Sequence, residues 1–406
     1  MFGNLLDLLR AGSDETQAAI VTTVRRQQAS IVVFDGFQGM RRSLPDEQVP
    51  GAFLYELGAK LALLGATTVV AMEGDASEPA IYSELTVSDA IISMRREQVG
   101  ARTRRVLDVV KVRGTNPVLG SHPYIIDDNG IFLYPRFEST VEPDWTNERA
   151  QVGIPEIDAM LGGGLTVGTS SLIAGIPGTG KTLLGVHFAL EGALRGEPTL
   201  FVSFLENAVQ LRAKARMFGM DMEAAEASGA LRLLILPPFD IEIDEVMWHI
   251  CEDIESRGVK RLVVDSVSEL ERATAGVPQS FSTLSAFVTY LRSKRVTSYL
   301  TRDITTVVGP EITFADTPLA MVAENLLFMR LAEYRGQLHR LFSVLKMRFS
   351  AHERIIHEYA IRPDQRIEML GPVPPAEGWL TGVARPLWDK GPPNEPQLQS
   401  QTTNAD

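Results

Sequence analysis

Gly175-Ile176-Pro177-Gly178-Thr179-Gly180-Lys181-Thr182 fills the pattern G-x-x-x-x-G-K-[ST] in full. The residues before it, Ser171-Leu-Ile-Ala, read as a short apolar strand. Those after it, from Leu183 through Glu191, read as a helix. Strand, glycine loop and helix in that order make a phosphate cradle. Glycines let backbone N–H groups turn inward, and the helix amino terminus adds a favourable dipole. Residues 175–183 are therefore expected to bind nucleotide. Lys181 is expected to reach the β/γ-phosphates of ATP, and the Thr182 hydroxyl to ligate Mg²⁺. The alternative is a glycine-rich strand-to-helix turn that binds nothing.

Working outward, four further positions carry chemistry. Asp265 ends the apolar run Leu262-Val-Val-Asp265, and an aspartate at the carboxyl end of a buried strand faces the ligand crevice of an α/β sheet. It is the second candidate Mg²⁺ ligand; otherwise it caps the segment that follows. Glu206 closes Leu200-Phe-Val-Ser-Phe-Leu-Glu206, a strand expected beside the P-loop strand, where a carboxylate can orient or deprotonate the attacking water. Its other reading is a surface glutamate at the start of the helix Asn207–Arg212. Lys346 and Arg348 are two apart on a strand and so share a face. They either stabilise charge on a neighbour's γ-phosphate or form a solvated basic edge, and the residues alone do not separate the two.

The pattern Lys260-Arg-Leu-Val-Val-Asp265 also occurs as Ser30-Ile-Val-Val-Phe-Asp35. Each copy continues through a helical stretch to a second strand, Ala66–Ala71 or Arg295–Leu300. Each then reaches a strand closing in Lys-x-Arg, at Lys111/Arg113 or Lys346/Arg348. Strands alternating with helices predict a parallel-rich, doubly wound α/β sheet of P-loop type. Shifting Gly175 back by the 230 residues that separate Asp35 from Asp265 lands about 55 residues before Met1. The first copy is thus expected to lack its front half, through truncation or a start assigned too late. Residues 1–135 should then expose apolar surface, and Asp35, Lys111 and Arg113 are read as structural, the alternative being that Lys111 and Arg113 act on another subunit. Residues 136–150 read as a linker, 151–370 as a complete domain, and 371–406 as a Pro-rich, disordered tail.

Composition bounds the rest. A chain of 406 residues with 45 % hydrophobic content can build two ordinary domains. The formal net charge of −12 disfavours a general grip on nucleic acid. One cysteine, Cys251, allows no internal disulfide and fits a reducing cytoplasm. Met1-Phe-Gly-Asn4 does not look like a secretory signal, and no apolar run is long enough for a membrane span.

Several motifs together resemble the KaiC family of RecA-like ATPases. They are the lead-in Gly153-Ile-Pro-Glu-Ile-Asp158-Ala-Met-Leu-Gly162-Gly-Gly-Leu165, the closing strand Val344-Leu-Lys346-Met-Arg348 with Ser350-Ala-His352, and Lys111-Val-Arg-Gly114. The resemblance covers nearly all of residues 1–370. It implies homo-oligomeric hexameric rings, ATP between protomers, and Lys346 and Arg348 acting in trans. Departures accompany it. Leu205 stands where the family has the first of two adjacent glutamates, which implies slow or impaired hydrolysis. Ala320-Met321 stands where clock members carry a phosphorylated Ser/Thr pair, with Thr317 near but out of register. The leading expectation is an ATPase serving as a signalling or regulatory module, with a signalling protein as a further partner. Its rivals are a serine/threonine kinase, a RecA-like DNA repair factor, and an ATP-gated scaffold.

Overall fold

The computed structural model describes residues 13–37, 49–74, 86–99, 102–136, 146–237, 242–273, 280–304, 318–362 and 367–386. The chain divides into two units after Arg136. In the first, α1 (Ser13–Gln27), β1 (Ile31–Phe34), α2 (Val49–Ala62) and β2 (Thr67–Val70) give a parallel two-stranded sheet. Ile20 and Val24 of α1 and Phe53, Leu57 and Leu61 of α2 pack with Phe34 and Ala66. The antiparallel strands β3 (Ala90–Val99), β4 (Arg102–Val112), β5 (Ser121–Asp127) and β6 (Gly130–Leu133) follow as a second sheet.

The second unit opens with β7 (Arg149–Ala150), α3 (Pro155–Met160), β8 (Leu165–Thr166) and β9 (Ser170–Gly175). Then come α4 (Lys181–Leu194), β10 (Thr199–Ser203), α5 (Ala208–Met217), α6 (Met222–Ala227) and β11 (Leu231–Ile235). Next are α7 (Ile243–Arg257), β12 (Arg261–Asp265), α8 (Val267–Ala273), α9 (Ser280–Ser293) and β13 (Thr297–Asp303). The run ends with α10 (Pro318–Val322), β14 (Asn325–Tyr334), β15 (Gln337–Met347), β16 (His357–Ile361), β17 (Ile367–Pro372), β18 (Ala376–Glu377) and β19 (Arg385–Pro386). Among the described residues, nine strands form one sheet in the order β11-β10-β12-β13-β9-β14-β15-β16-β17. It is parallel from β11 to β14 and antiparallel beyond. The central strands read as continuous apolar runs because both faces are covered. One core contains Leu184 and Phe188 of α4, the other Met247 and Ile250 of α7 with Phe287 of α9. This is the RecA-like P-loop architecture, a parallel-rich sheet flanked by helices.

The strand order corrects one expectation. β10, which leads to Glu206, does not neighbour the P-loop strand; β12 and β13 lie between them. Periodicity reports that a strand is buried but not which strand lies beside it. Packed structure also continues past residue 370, into the stretch read as a tail. Trp379 is buried against Tyr334 and Leu341, and its indole N–H donates to the Pro374 carbonyl. The final stretch from Gly391 lies outside the described residues, as does most of the stretch read as a linker.

The two units share a plan down to its irregularities. The β3–β4 pairing slips between Ile91 and Ile92, and the β14–β15 pairing slips at the corresponding Leu326 and Leu327. What differs is β9, which pairs with both β13 and β14 in the second unit. Among the described residues of the first unit, β2 and β3 belong to separate sheets. Among the described residues of the first unit no helix takes the place of α4 on that face. Val33 is 62 % exposed where Val263 is 0 %, and Met94 is 47 % exposed where Met329 is 1 %.

Candidate active site

The site is assembled at the carboxyl ends of β9, β12 and β13, where an open α/β sheet binds ligands. The lead-in motif sets the approach. The buried Asp158 carboxylate accepts the N–H groups of Val152 and Gly153 at 2.6 and 3.2 Å. Burial raises the Asp158 pKa, and those two bonds oppose the rise. Gly175 must be glycine, because a Cβ there would lie 2.3 Å from the Met329 carbonyl oxygen of β14. Gly180 caps α4 in the left-handed conformation at φ +96°. Tyr299 donates its hydroxyl to the Lys181 carbonyl at 3.0 Å, and Tyr359 donates to the Thr179 carbonyl. Burial pushes both phenols up. The loop of Gly175, Ile176, Pro177, Gly178, Thr179 and Gly180 is therefore held from two sides before Leu183 enters the core.

Lys181 is buried and folded back on the loop. Its ammonium donates to the carbonyls of Gly175 at 2.8 Å and Ile176 at 3.0 Å, and it pairs with Asp303 at 2.9 Å. Thr182 donates its hydroxyl to Asp265 Oδ2 at 2.8 Å, and Thr301 donates to Oδ1 of the same carboxylate. Burial raises the Asp265 pKa; the two hydroxyls oppose it and the Glu206 charge adds to it. A hydroxyl and a carboxylate side by side are hard oxygen donors that suit Mg²⁺, an ion that keeps water and phosphate as its other ligands. No group of three or more His, Cys, Asp or Glu able to hold a metal occurs among the described residues.

Glu206 lies past the end of β10, which stops at Ser203, and before α5. Asn207 is the N-cap, accepting from the Gln210 N–H at 3.0 Å, so Glu206 stands outside the helix. The Ser203 hydroxyl pins the turn by donating to the Glu206 carbonyl at 2.8 Å. One Glu206 carboxylate oxygen pairs with Lys214 of α5. The other is buried with no hydrogen-bond partner among the described residues. Leu205 is exposed.

Lys346 and Arg348 are brought together, but away from this P-loop. β15 ends at Met347, and both side chains reach one side. Lys346 donates to the Ala323 carbonyl at 2.8 Å and Arg348 to the Met321 carbonyl at 3.3 Å. The register aligns Lys346 with Leu326 and Leu172, three rows toward the amino end from Gly175 and two strands aside. That is roughly 14 Å within the sheet. Burial and the Arg348 charge lower the Lys346 pKa. In the first unit, Lys111 and Arg113 instead share one acceptor, the Thr86 carbonyl, at 3.3 Å each.

Two residues of the site were missed in the sequence, Thr301 and Asp303. Asp303 carries the same signal as Asp265, an acid at the carboxyl end of an apolar strand, here β13.

The profile described as "ATPase: KaiC" matches residues 9–138 and again 150–373. The circadian clock oscillator protein KaiC of a Picosynechococcus species is 29 % identical over 342 residues, 83 % of this chain and 66 % of the relative. The circadian clock oscillator protein KaiC 1 of a Synechocystis species is 28 % identical over 345 residues, 84 % of this chain and 66 % of its own. That of Synechococcus elongatus is 28 % identical over 342 residues, 83 % of this chain and 65 % of its own. The chain thus spans about two thirds of the length of these relatives.

Proposed function

The chain belongs to the KaiC family of ATPases, and from that premise we propose that it binds ATP with Mg²⁺, hydrolyses it between subunits of a hexameric ring, and serves as a signalling or regulatory module. The observation that carries the reading is the Thr182–Asp265 hydrogen bond at the mouth of a complete phosphate loop. Thr182 and Asp265 would hold Mg²⁺, which when bound neutralises phosphate charge. Lys181 exchanges its Asp303 partner for the β/γ-phosphates. Glu206 presents its unpartnered oxygen to a water and orients it toward the γ-phosphate.

Distance supports the ring. Lys346 and Arg348 are too far across the sheet to serve their own P-loop, so any phosphate they touch belongs to another copy. Water is favoured over a protein hydroxyl as acceptor, because Ala320 and Met321 of α10 carry none; Thr317 lies outside the described residues. One observation favours a second reading, an ATP-gated scaffold with little turnover: Glu206 is committed to Lys214, with Leu205 beside it. Nothing among the described helices is long and apolar enough to cross a membrane.

Steady-state phosphate release with Mg²⁺ and ATP tests this, beside Lys181→Ala. Turnover in the parent and its loss in the variant are expected. Tight ATP binding without turnover would favour the scaffold, and unchanged ATP affinity in Lys181→Ala would remove the central assignment.

A further inference from the structure

Glu324, between α10 and β14, touches three elements. Its side chain is 0 % exposed. One carboxylate oxygen accepts the N–H of Ser170, first residue of the P-loop strand, at 2.8 Å. The other pairs with Arg292 of α9. Its carbonyl accepts the Arg348 N–H at 3.2 Å. A carboxylate so deep in the protein persists only when paired and hydrogen-bonded.

The first unit supplies the contrast. The offset that carries Lys346 onto Lys111 and Arg348 onto Arg113 carries Glu324 onto Asp89. The backbone bond is the same, with the Arg113 N–H donating to the Asp89 carbonyl at 2.9 Å. The side chain is not. Asp89 is 84 % exposed and pairs with the Arg113 guanidinium at 3.3 Å. Among the described residues of that unit no strand occupies the place of β9, so the inward partner that Ser170 gives to Glu324 is lacking. In the second unit the acid is turned inward, and Arg348 has no carboxylate partner among the described residues. It meets the Met321 carbonyl alone.

We propose that Glu324 is a positioning residue: clamped by Arg292 and the Ser170 N–H, its carboxylate is held away from Arg348, which leaves that guanidinium free for an anionic phosphate of a neighbouring copy. The inference rests on the trans reading of Lys346 and Arg348 above. An acid at this position lies close enough to pair with the arginine, as Asp89 does, and would compete with any incoming phosphate. The Arg292 clamp removes the competitor and ties the cation to the base of the P-loop strand in its own subunit.

The test is a suppressor experiment on the full chain, with folding of each variant checked by circular dichroism. Arg292→Gln releases Glu324 toward Arg348. It is expected to lower kcat about ten-fold with KM little changed, and adding Glu324→Gln should restore kcat to within about two-fold of the parent. Two independent structural lesions would compound instead. Arg292→Lys, a weaker clamp, should fall between parent and Arg292→Gln and serves if the latter misfolds. ATP-dependent assembly followed by sedimentation should show the same order without requiring turnover. A double variant no better than Arg292→Gln, or no effect of either Arg292 variant, overturns the proposal. Arg348→Ala separates the premises. If that variant keeps parental turnover and assembly, the trans reading has failed, and this inference with it. If it loses them while the suppressor pattern is missing, only the role of Glu324 has failed.

Discussion

Asp265 is placed where two requirements conflict. A metal-binding carboxylate must be ionised, yet burial favours its protonated form and raises its pKa. The sign follows from linkage. A carboxylate with a raised native pKa favours the fold while protonated, and that contribution is lost as pH climbs from the ordinary value of 3.8 through the raised one. Above the ordinary carboxylate range, burying Asp265 therefore disfavours the nucleotide-free fold. Asp265→Asn keeps an acceptor for the two hydroxyls and removes the buried charge. Thermal unfolding should show a higher Tm at pH 7.5 and no gain near pH 3.5, while turnover falls by about 10²-fold or more. A lower Tm at pH 7.5 would mean that the carboxylate is a structural asset. Asp265 was legible because strand end and acid coincide in the sequence. Thr301 was not, because a threonine inside an apolar strand announces nothing until its hydroxyl is found against Asp265.

The recurrence of one strand in two environments sets the element scale. Ser30–Asp35 and Lys260–Asp265 are legible as copies from their residues, and each forms a parallel strand with a helix before and after it. Their cost of change differs, because among the described residues β9 and α4 complete only the second. Val33→Lys should alter stability by no more than about 0.5 kcal/mol, whereas Val263→Lys, which buries an unpaired charge, should cost about 4 kcal/mol or more. Chemical denaturation of the two variants checks this, and equal losses would mean that β1 is covered in solution as fully as β12. Element identity was legible here because periodicity and motif spacing are local properties. Strand order was not, since it depends on which chain segment crosses where. That is why β10 was misplaced beside β9 while its burial was anticipated. The tail beyond residue 370 misled for a related reason. Its prolines and polar residues suggest disorder by composition, but one tryptophan anchors it on β14 and β15.

At the scale of the molecule, a distance within the sheet bears on the proposed assembly. A site needing both Lys181 and Arg348 cannot be built within one chain, because the sheet holds them at opposite ends of its strands. A head-to-tail arrangement that closes a ring satisfies both sets of residues at every interface. The consequence can be measured without seeing the ring. Lys181→Ala keeps a sound Arg348 but spoils its own loop; Arg348→Ala keeps a sound loop but spoils what it offers its neighbour. Each alone should be inactive. Mixed in equal amounts and allowed to reassemble, about a quarter of interfaces pair an intact loop with an intact arginine, so phosphate release should return to about a quarter of the parental rate. If both residues served one chain's nucleotide, no mixing ratio would restore activity. Recovery that depends on the ratio and on the presence of ATP during mixing would place the two halves of the site on different subunits.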